Sequence, residues 1–178
     1  MEDLWSDPSV GCDLSVLPEI LAYPRLPDYR TLIERYQMMG LVRDANLHAA
    51  LYELDRADYA LPEVAILEES LSSSALLVPW HEDSDLPGSL IPGHFDIVQL
   101  LEMFDAGAGD DVLVIGPRGG FICALLDEMG ARPVGVEPYG IRIPYIQSAV
   151  PHLEIRGIED LSELLSEREW DAILITYA

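Results

Sequence analysis

Residues 112–121, VLVIGPRGGF, join a continuous apolar run to a turn that holds three glycines. Such a run is typical of a strand buried on both faces, and Gly116, Gly119 and Gly120 follow it directly. Because glycine has no Cβ, backbone N–H groups can approach a ligand here, at the positive end of the next helix. Glu137 ends the next strand, 21 residues after Gly116, about where a carboxylate binds ribose hydroxyls. The pattern indicates a nucleoside or nucleotide site, or else a tight turn beside a solvated strand end.

Other polar residues offer weaker chemistry. His94 opens a predicted helix and could act as a base near a carboxyl acceptor, or it could merely cap or pack. The acidic stretch HEDSD at 81–85 could bind a cation or be a solvated loop. Cys12 and Cys123 are far apart and have no zinc-ligand spacing, so we predict neither a metal site nor a disulfide framework.

The charge of the chain limits its partners. Ten arginines and no lysine stand against 32 acidic residues, which gives a net charge of -22. Such a surface repels phosphate backbones and anionic lipids, so we expect no nucleic acid and no membrane partner. The acidic excess suits a high-salt cytoplasm, although a GC-rich genome could also replace lysine by arginine. No signal-peptide pattern and no membrane-spanning apolar run is visible, which favours a cytoplasmic location.

Pro and Gly positions and apolar periodicity divide the chain into three parts. Residues 1–27 read as an irregular arm, and residues 28–110 as a helical region with a long connection at 63–88. The Met38–Met39 pair in the first helix is expected to fill the core. Residues 111–178 alternate strand and helix, which predicts a Rossmann-like half-domain. The fold class is therefore α/β, with a doubly wound, mostly parallel sheet behind an N-terminal helical region.

From residue 29 to residue 178 the chain resembles the protein-L-isoaspartate O-methyltransferases, which use S-adenosylmethionine. The family's paired opening helices resemble LIERYQMMGLVRDANLHAALYELDRADYALPE. Its loop G-Q-T-I-S and the helix after it align without a gap with GSLIPGHFDIVQLLEMFD. Its cofactor motif V-L-E-I-G-x-G-x-G-Y corresponds to VLVIGPRGGF. Its later strand D-x-I-x-x-T-A-A resembles DAILITYA. The resemblance implies a methyltransferase fold of which these residues supply the first four sheet strands.

The resemblance also implies a cofactor site, with S-adenosylmethionine as the suspected cofactor. Three of the family's positions are retained: Gly116, Gly120 and Glu137. Arg118 stands where the family has a glycine, so it must point to solvent or reach for the carboxylate of the cofactor. Ile158 occupies the position of the aspartate that contacts the adenine, and only Glu159 or Asp160 could replace that aspartate.

The family's active-site loop is altered in this chain. Ser89 stands at the position of the family's glutamine, and Pro92, which has no hydroxyl, stands at the position of its serine. Ser89 and His94 are left as the candidate catalytic residues.

Two functions follow from the resemblance and its departures. One is S-adenosylmethionine-dependent methyl transfer to a carboxylate or another nucleophile, on a protein or a small molecule. The other is a catalytically inactive methyltransferase-fold subunit that binds or regulates a partner. A nicotinamide dehydrogenase fits less well, because G-x-G-x-x-G is absent.

The strand predicted at residues 171–176 would lie at the edge of the sheet. It is apolar and carries no lysine, proline or bulge to protect it. The N-terminal arm, a second subunit in a homo-oligomer or heteromer, or the remainder of a longer chain could cover it.

Overall fold

The computed structural model describes residues 29–59, 76–78, 89–91 and 94–176. The helices are α1 (Tyr29–Met38), α2 (Ala45–Glu53), α3 (His94–Phe104), α4 (Phe121–Glu128), α5 (Ile143–Ala149) and α6 (Leu161–Glu167), with short 3-10 turns at Arg56–Tyr59, Gly140–Arg142 and Ile158–Asp160. The strands are β1 (Leu76–Val78), β2 (Ser89–Ile91), β3 (Asp111–Ile115), β4 (Arg132–Glu137), β5 (Glu154–Gly157) and β6 (Ala172–Ile175). The arm predicted at residues 1–27 lies outside the described residues.

Side-chain caps position the N-terminal helices. Asp44 caps α2, and its carboxylate accepts hydrogen bonds from the N–H groups of Asn46 at 2.7 Å and Leu47 at 3.4 Å. Glu102 of α3 accepts from the N–H groups of Arg43 at 2.6 Å and Asp44 at 2.8 Å. One carboxylate therefore fixes the α1–α2 connection to α3.

The second half of the described chain is a parallel sheet in the order β5-β4-β3-β6. In the register, Val114 lies opposite Gly135 of β4 and opposite Leu174 of β6. All of β4 except its first residue is buried, as expected for a central strand covered on both faces. The predicted α/β class, with a helical region before a doubly wound sheet, is confirmed.

Alternate residues of β3 face two separate apolar layers. Val112 and Val114 pack with α1 to α5 in the larger core, whereas Leu113 packs with Val134, Val136 and Leu164 in the smaller one. Helix α6 supplies Leu164 and covers the second face. From β3 the chain adds β4 and then β5 on one side of the sheet, and it then crosses over to add β6 on the other side of β3. The point between β3 and β6 is therefore the topological switch point. In sheets of this type, ligands bind beyond the carboxyl ends of the strands at that switch point.

Two local expectations were wrong. Part of the connection predicted at 63–88 is a strand, because β1 pairs antiparallel with β2 and Leu77 lies opposite Leu90. Met38 and Met39 do not fill the core: they are 82% and 70% exposed, at the end of α1 and just beyond it. Among the residues described, no helix has the length and apolar character needed to cross a bilayer.

Candidate cofactor site at the carboxyl edge of the sheet

The turn between β3 and α4 needs glycine at two positions. Gly116 has a φ of 81° and Gly120 a φ of 92°, in the left-handed region that side chains disfavour. A Cβ on Gly120 would also lie 3.2 Å from Cγ2 of Ile146 and 3.3 Å from Cγ2 of Val150. Gly116 donates its N–H to the carbonyl of Val136 at 2.8 Å, which fixes the turn to β4.

Arg118 occupies the middle of this turn in a left-handed conformation, with a φ of 57°. Its N–H donates to Oε2 of Glu137 at 3.3 Å, and its Nη2 donates to the carbonyl of Thr176 at 2.7 Å. The side chain is half-buried and reaches from the end of β3 to the end of β6. The sequence predicts that the Arg118 side chain points to solvent or reaches for a ligand carboxylate. In the structure it bonds instead to a backbone carbonyl of the protein.

Glu137 ends β4 and is fully buried. Besides the bond from Arg118, its Oε1 accepts from the N–H of Tyr139 at 3.2 Å and from Nη1 of Arg142 at 3.3 Å. A carboxylate has about four acceptor positions, so three protein donors leave little room for a ligand. Burial raises the pKa of Glu137, and the bond from Tyr139 and the charge of Arg142 oppose that rise without cancelling it.

Arg142 is buried as well, with 4% of its side chain exposed. Its guanidinium lies over the ring of Tyr139, 4.7 Å from the centroid, which adds a cation–π contact to the ion pair with Glu137. Among the described residues, Nε of Arg142 has no hydrogen-bond partner although it is buried. The two charges neutralise each other inside the protein.

Two hydrogen bonds cross the topological switch point between β3 and β6, one donated from each side. The side chain of Arg118 donates to the carbonyl of Thr176, and the hydroxyl of Thr176 donates to the carbonyl of Gly116. The N–H of Thr176 continues the ladder to the carbonyl of Ile115 at 3.0 Å. The crevice between β3 and β6 is therefore bridged by protein groups on the side where ligands of such sheets bind.

The structure places the predicted cofactor residues at one edge of the sheet. The turn residues Gly116, Arg118, Gly119 and Gly120 follow β3, and Glu137 ends the neighbouring strand. Gly119 is buried in the turn. Their roles toward a ligand stay predictions.

Glu159 is the outlying member of the predicted set. It lies in the 3-10 turn after β5 and is exposed, two residues beyond Gly157, the partner of Glu137 across the ladder. Its carboxylate folds over Gly157 so closely that a Cβ there would overlap it. Glu159 is therefore near the same edge, with its carboxylate held over the backbone.

The predicted catalytic residues are placed only by their backbone. Ser89 opens β2 and His94 opens α3, while their side chains, and Pro92, lie outside the described part of the chain. Their catalytic roles therefore stay predictions.

Three residues of the site were missed by reasoning from the sequence. Arg142 and Tyr139 both contact Glu137, and Thr176 accepts from Arg118. Of these three residues, only Thr176 could have been found from the sequence, because it matches the threonine of the family's strand D-x-I-x-x-T-A-A. The position of Arg142, five residues after Glu137, carries no recognisable pattern.

The described arrangement can bind polar groups. The turn lies at the N-terminus of α4, where backbone N–H groups favour an anionic or strongly polar ligand group. Glu137 would accept hydrogen bonds from ligand hydroxyls once one of its protein donors moves away. In the part of the chain that the structure describes, no group of three or more His, Cys, Asp or Glu side chains could hold a metal ion.

Comparisons with known proteins agree with this geometry at the level of fold. A protein-L-isoaspartate O-methyltransferase is 14% identical, with a TM-score of 0.64 over 84% of this chain and 48% of that chain. A candidate protein-L-isoaspartate O-methyltransferase (beta-aspartate methyltransferase) from Plasmodium falciparum, in complex with S-adenosyl-L-homocysteine, is also 14% identical, with a TM-score of 0.59 over 84% of this chain and 73% of that chain.

The chain spans about half the length of the first of these structures. No protein-family model and no curated protein sequence matches it. Because both structural likenesses come with low sequence identity, they establish fold alone. The chain has the fold of the protein-L-isoaspartate O-methyltransferases, as the resemblance implies.

Proposed function

We propose that the carboxyl edge of the sheet binds S-adenosylmethionine and that the protein serves methyl transfer to a carboxylate or another nucleophile. The observation that carries this proposal is the hydrogen bond between the Arg118 N–H and the Glu137 carboxylate. It brings the glycine turn and the acid at the end of the next strand together at one edge. S-adenosyl-L-homocysteine in a structural neighbour with the same fold supports the choice of ligand.

The residues present fit such a ligand in part. Gly116 and Gly120 keep side chains out of the turn before α4, while their own N–H groups already donate to the carbonyls of Val136 and Pro117. Glu137 would accept from two ribose hydroxyls if these replaced Arg142 as its partner. When bound, S-adenosylmethionine supplies an activated methyl group, and the chain then has only to hold an acceptor oxygen in line with it.

Calorimetry with S-adenosylhomocysteine tests the binding step. We expect saturable binding to the purified protein and a loss of about tenfold or more in affinity for Glu137→Asp, which keeps the charge but withdraws the carboxylate. Glu154→Gln, at the amino end of β5 and so at the opposite edge, should bind like the parent. Heats no larger than those of ligand dilution, with a folded circular dichroism spectrum, would sink the proposal.

A specific observation favours a second candidate, a non-catalytic subunit with the same fold. Arg142 and Arg118 already provide, from inside the protein, the contacts that a ligand would make with Glu137 and across the switch point. A site that is satisfied in this way is stable without a ligand. Such a protein would act through its surface, as a binding or regulatory partner.

Methyl transfer separates the two candidates. With S-[methyl-³H]adenosylmethionine and a peptide that contains isoaspartate, an enzyme transfers the labelled methyl group to the peptide as a methyl ester, from which base then releases the label as methanol. Arg118→Gly restores the family's glycine and should raise the affinity for S-adenosylhomocysteine. Tight binding without any label transfer to this peptide or to carboxylates of a mixed protein preparation favours the non-catalytic subunit.

A further inference from the structure

Helices α1 and α2 line an open groove of about 520 Å³, which we call the α1–α2 groove. Its lining comes from one side of each helix, with Glu34, Gln37 and Met38 on α1 opposite His48, Tyr52 and Glu53 on α2. The spacing of three and four residues on each helix is that of a continuous face. A volume in this range holds several side chains.

Aromatic and sulfur-containing side chains provide the apolar surface of the groove. The rings of His48 and Tyr52 are stacked, with centroids 6.0 Å apart and 26° between their planes. Met38 is 82% exposed, and Met39 beside it is 70% exposed. Exposed methionines on a helix pair are typical of surfaces that adapt to another apolar chain.

The groove carries negative charge at both sides. Glu34 lies on α1 and Glu53 on α2, and none of the groove-lining residues is an arginine. Tyr52 donates its hydroxyl to Oε1 of Glu34 at 3.4 Å, which holds that carboxylate beside the aromatic surface. Arg30 lies beside this surface, with its guanidinium 5.3 Å from the ring centroid of Tyr52. Charge complementarity therefore selects a cationic occupant.

His48 adds an unsatisfied polar atom. Its Nε2 is shielded from solvent, and among the described residues it has no hydrogen-bond partner. A buried ring nitrogen without a partner costs free energy, which would be recovered if the His48 ring turned toward a docked polar group.

We propose that the α1–α2 groove docks a basic amphipathic helix of a partner protein. Its apolar side chains pack on Met38 and Tyr52, and its lysines or arginines pair with Glu34 and Glu53. A third helix that lies between two others is a common packing arrangement, and an acidic, methionine-bearing groove fits a basic helix. This interaction does not depend on the cofactor proposal.

A model helix tests the groove directly. The probe is a fluorescein-labelled amphipathic peptide of leucine and lysine, and binding is measured by fluorescence anisotropy at about 0.15 M salt, where distant charges are screened. We expect saturable binding, weakened about fivefold or more by the double variant Glu34→Gln, Glu53→Gln. The double variant Glu163→Gln, Glu167→Gln on α6 changes the net charge equally and should bind like the parent.

Met38→Asp separates docking from general attraction. It adds a negative charge, so simple attraction to an acidic surface would tighten binding, whereas loss of the apolar contact weakens it. The matched control is Met103→Asp, because Met103 lies on α3 and is 78% exposed in the parent protein. No binding of the peptide, an equal loss in both glutamine variants, or unchanged or tighter binding to Met38→Asp would overturn the proposal.

Discussion

Glu137 and Arg142 form an ion pair inside the protein, with 3.3 Å between Oε1 and Nη1 and with at most 4% of either side chain exposed. It stands where the sequence predicts a carboxylate open to a ligand. The pair explains why Arg142 can be buried, because an isolated buried cation is costly.

Arg142→Met should lower the free energy of unfolding by about 3 kcal/mol at neutral pH, because it leaves a buried carboxylate without its cation. Burial already raises the pKa of Glu137, and loss of Arg142 raises it further. When folding raises the pKa of a carboxyl group, the folded protein loses stability as the pH rises through that pKa. The cost of the variant should therefore be smaller in mild acid than at neutral pH, as measured by urea unfolding.

The double variant Arg142→Met, Glu137→Gln is the control for this pair. It removes both charges, so most of the lost stability should return and the extra pH dependence should disappear. If the cost of Arg142→Met is the same at every pH, the ion pair is not its cause.

Arg118 should show the strain of its left-handed backbone. Arg118→Ala loses the bond to the carbonyl of Thr176 and keeps the strain, so it should cost about 1–2 kcal/mol. Arg118→Gly loses the same bond but relieves about 1 kcal/mol of strain, and should therefore unfold at a higher urea concentration than Arg118→Ala. Equal midpoints for the two variants would show that the turn is not strained at residue 118.

Gly120 should be intolerant of any side chain. Gly120→Ala combines a φ of 92° with a Cβ that crowds Ile146, so we expect a loss of about 1–3 kcal/mol in chemical denaturation. Gly140 is the matched control because a Cβ there meets nothing within 4 Å. Gly140→Ala should change stability by no more than about 0.5 kcal/mol, and a comparable loss in both variants would contradict the assignment.

Glu102 should make the N-terminal helices sensitive to acid. Burial raises its pKa, but N–H bonds from Asp44 and Arg43, with the charge of Arg43, outweigh burial and lower the pKa below its usual value. A lowered pKa adds stability above the usual glutamate value of about 4.3, and this stability is lost as the pH falls through the folded pKa.

Glu102→Gln should therefore cost about 1 kcal/mol at neutral pH and progressively less below pH of about 4. Thermal unfolding across this range measures the difference, with Glu163→Gln on the exposed side of α6 as the control. A cost that persists unchanged in acid would mean that the charge of Glu102 is unimportant.

The apolar edge strand predicts association. Within the described sheet, β6 pairs only with β3, and Ile173 and Ile175 are 47% and 64% exposed. We propose that a second subunit covers this edge. The double variant Ile173→Lys, Ile175→Lys should lower the mass measured by light scattering, while Leu165→Lys, equally apolar and exposed on α6, should not. A monomeric parent protein would refute the proposal.

Local patterns in the sequence account for the elements of the sheet. The apolar run before Gly116, the glycines after it and Glu137 at the next strand end carry short-range information, because burial and positive φ depend on neighbouring residues. Since the carboxyl ends of parallel strands share one edge, the sequence also predicts that Gly116, Gly120 and Glu137 lie together.

Tertiary structure alone decided which groups meet at that edge. Arg118 and Thr176 are 58 residues apart, and no periodicity relates them, so their bond follows from β6 lying beside β3. The exposure of Met38 likewise depends on how α1 packs against α2. Periodicity reports whether a side chain faces inward, whereas its bonding partner depends on the three-dimensional arrangement of distant segments. For this reason the sequence determined which of these residues gather at the carboxyl edge of the sheet, and the structure determined that Glu137 already accepts hydrogen bonds from protein groups.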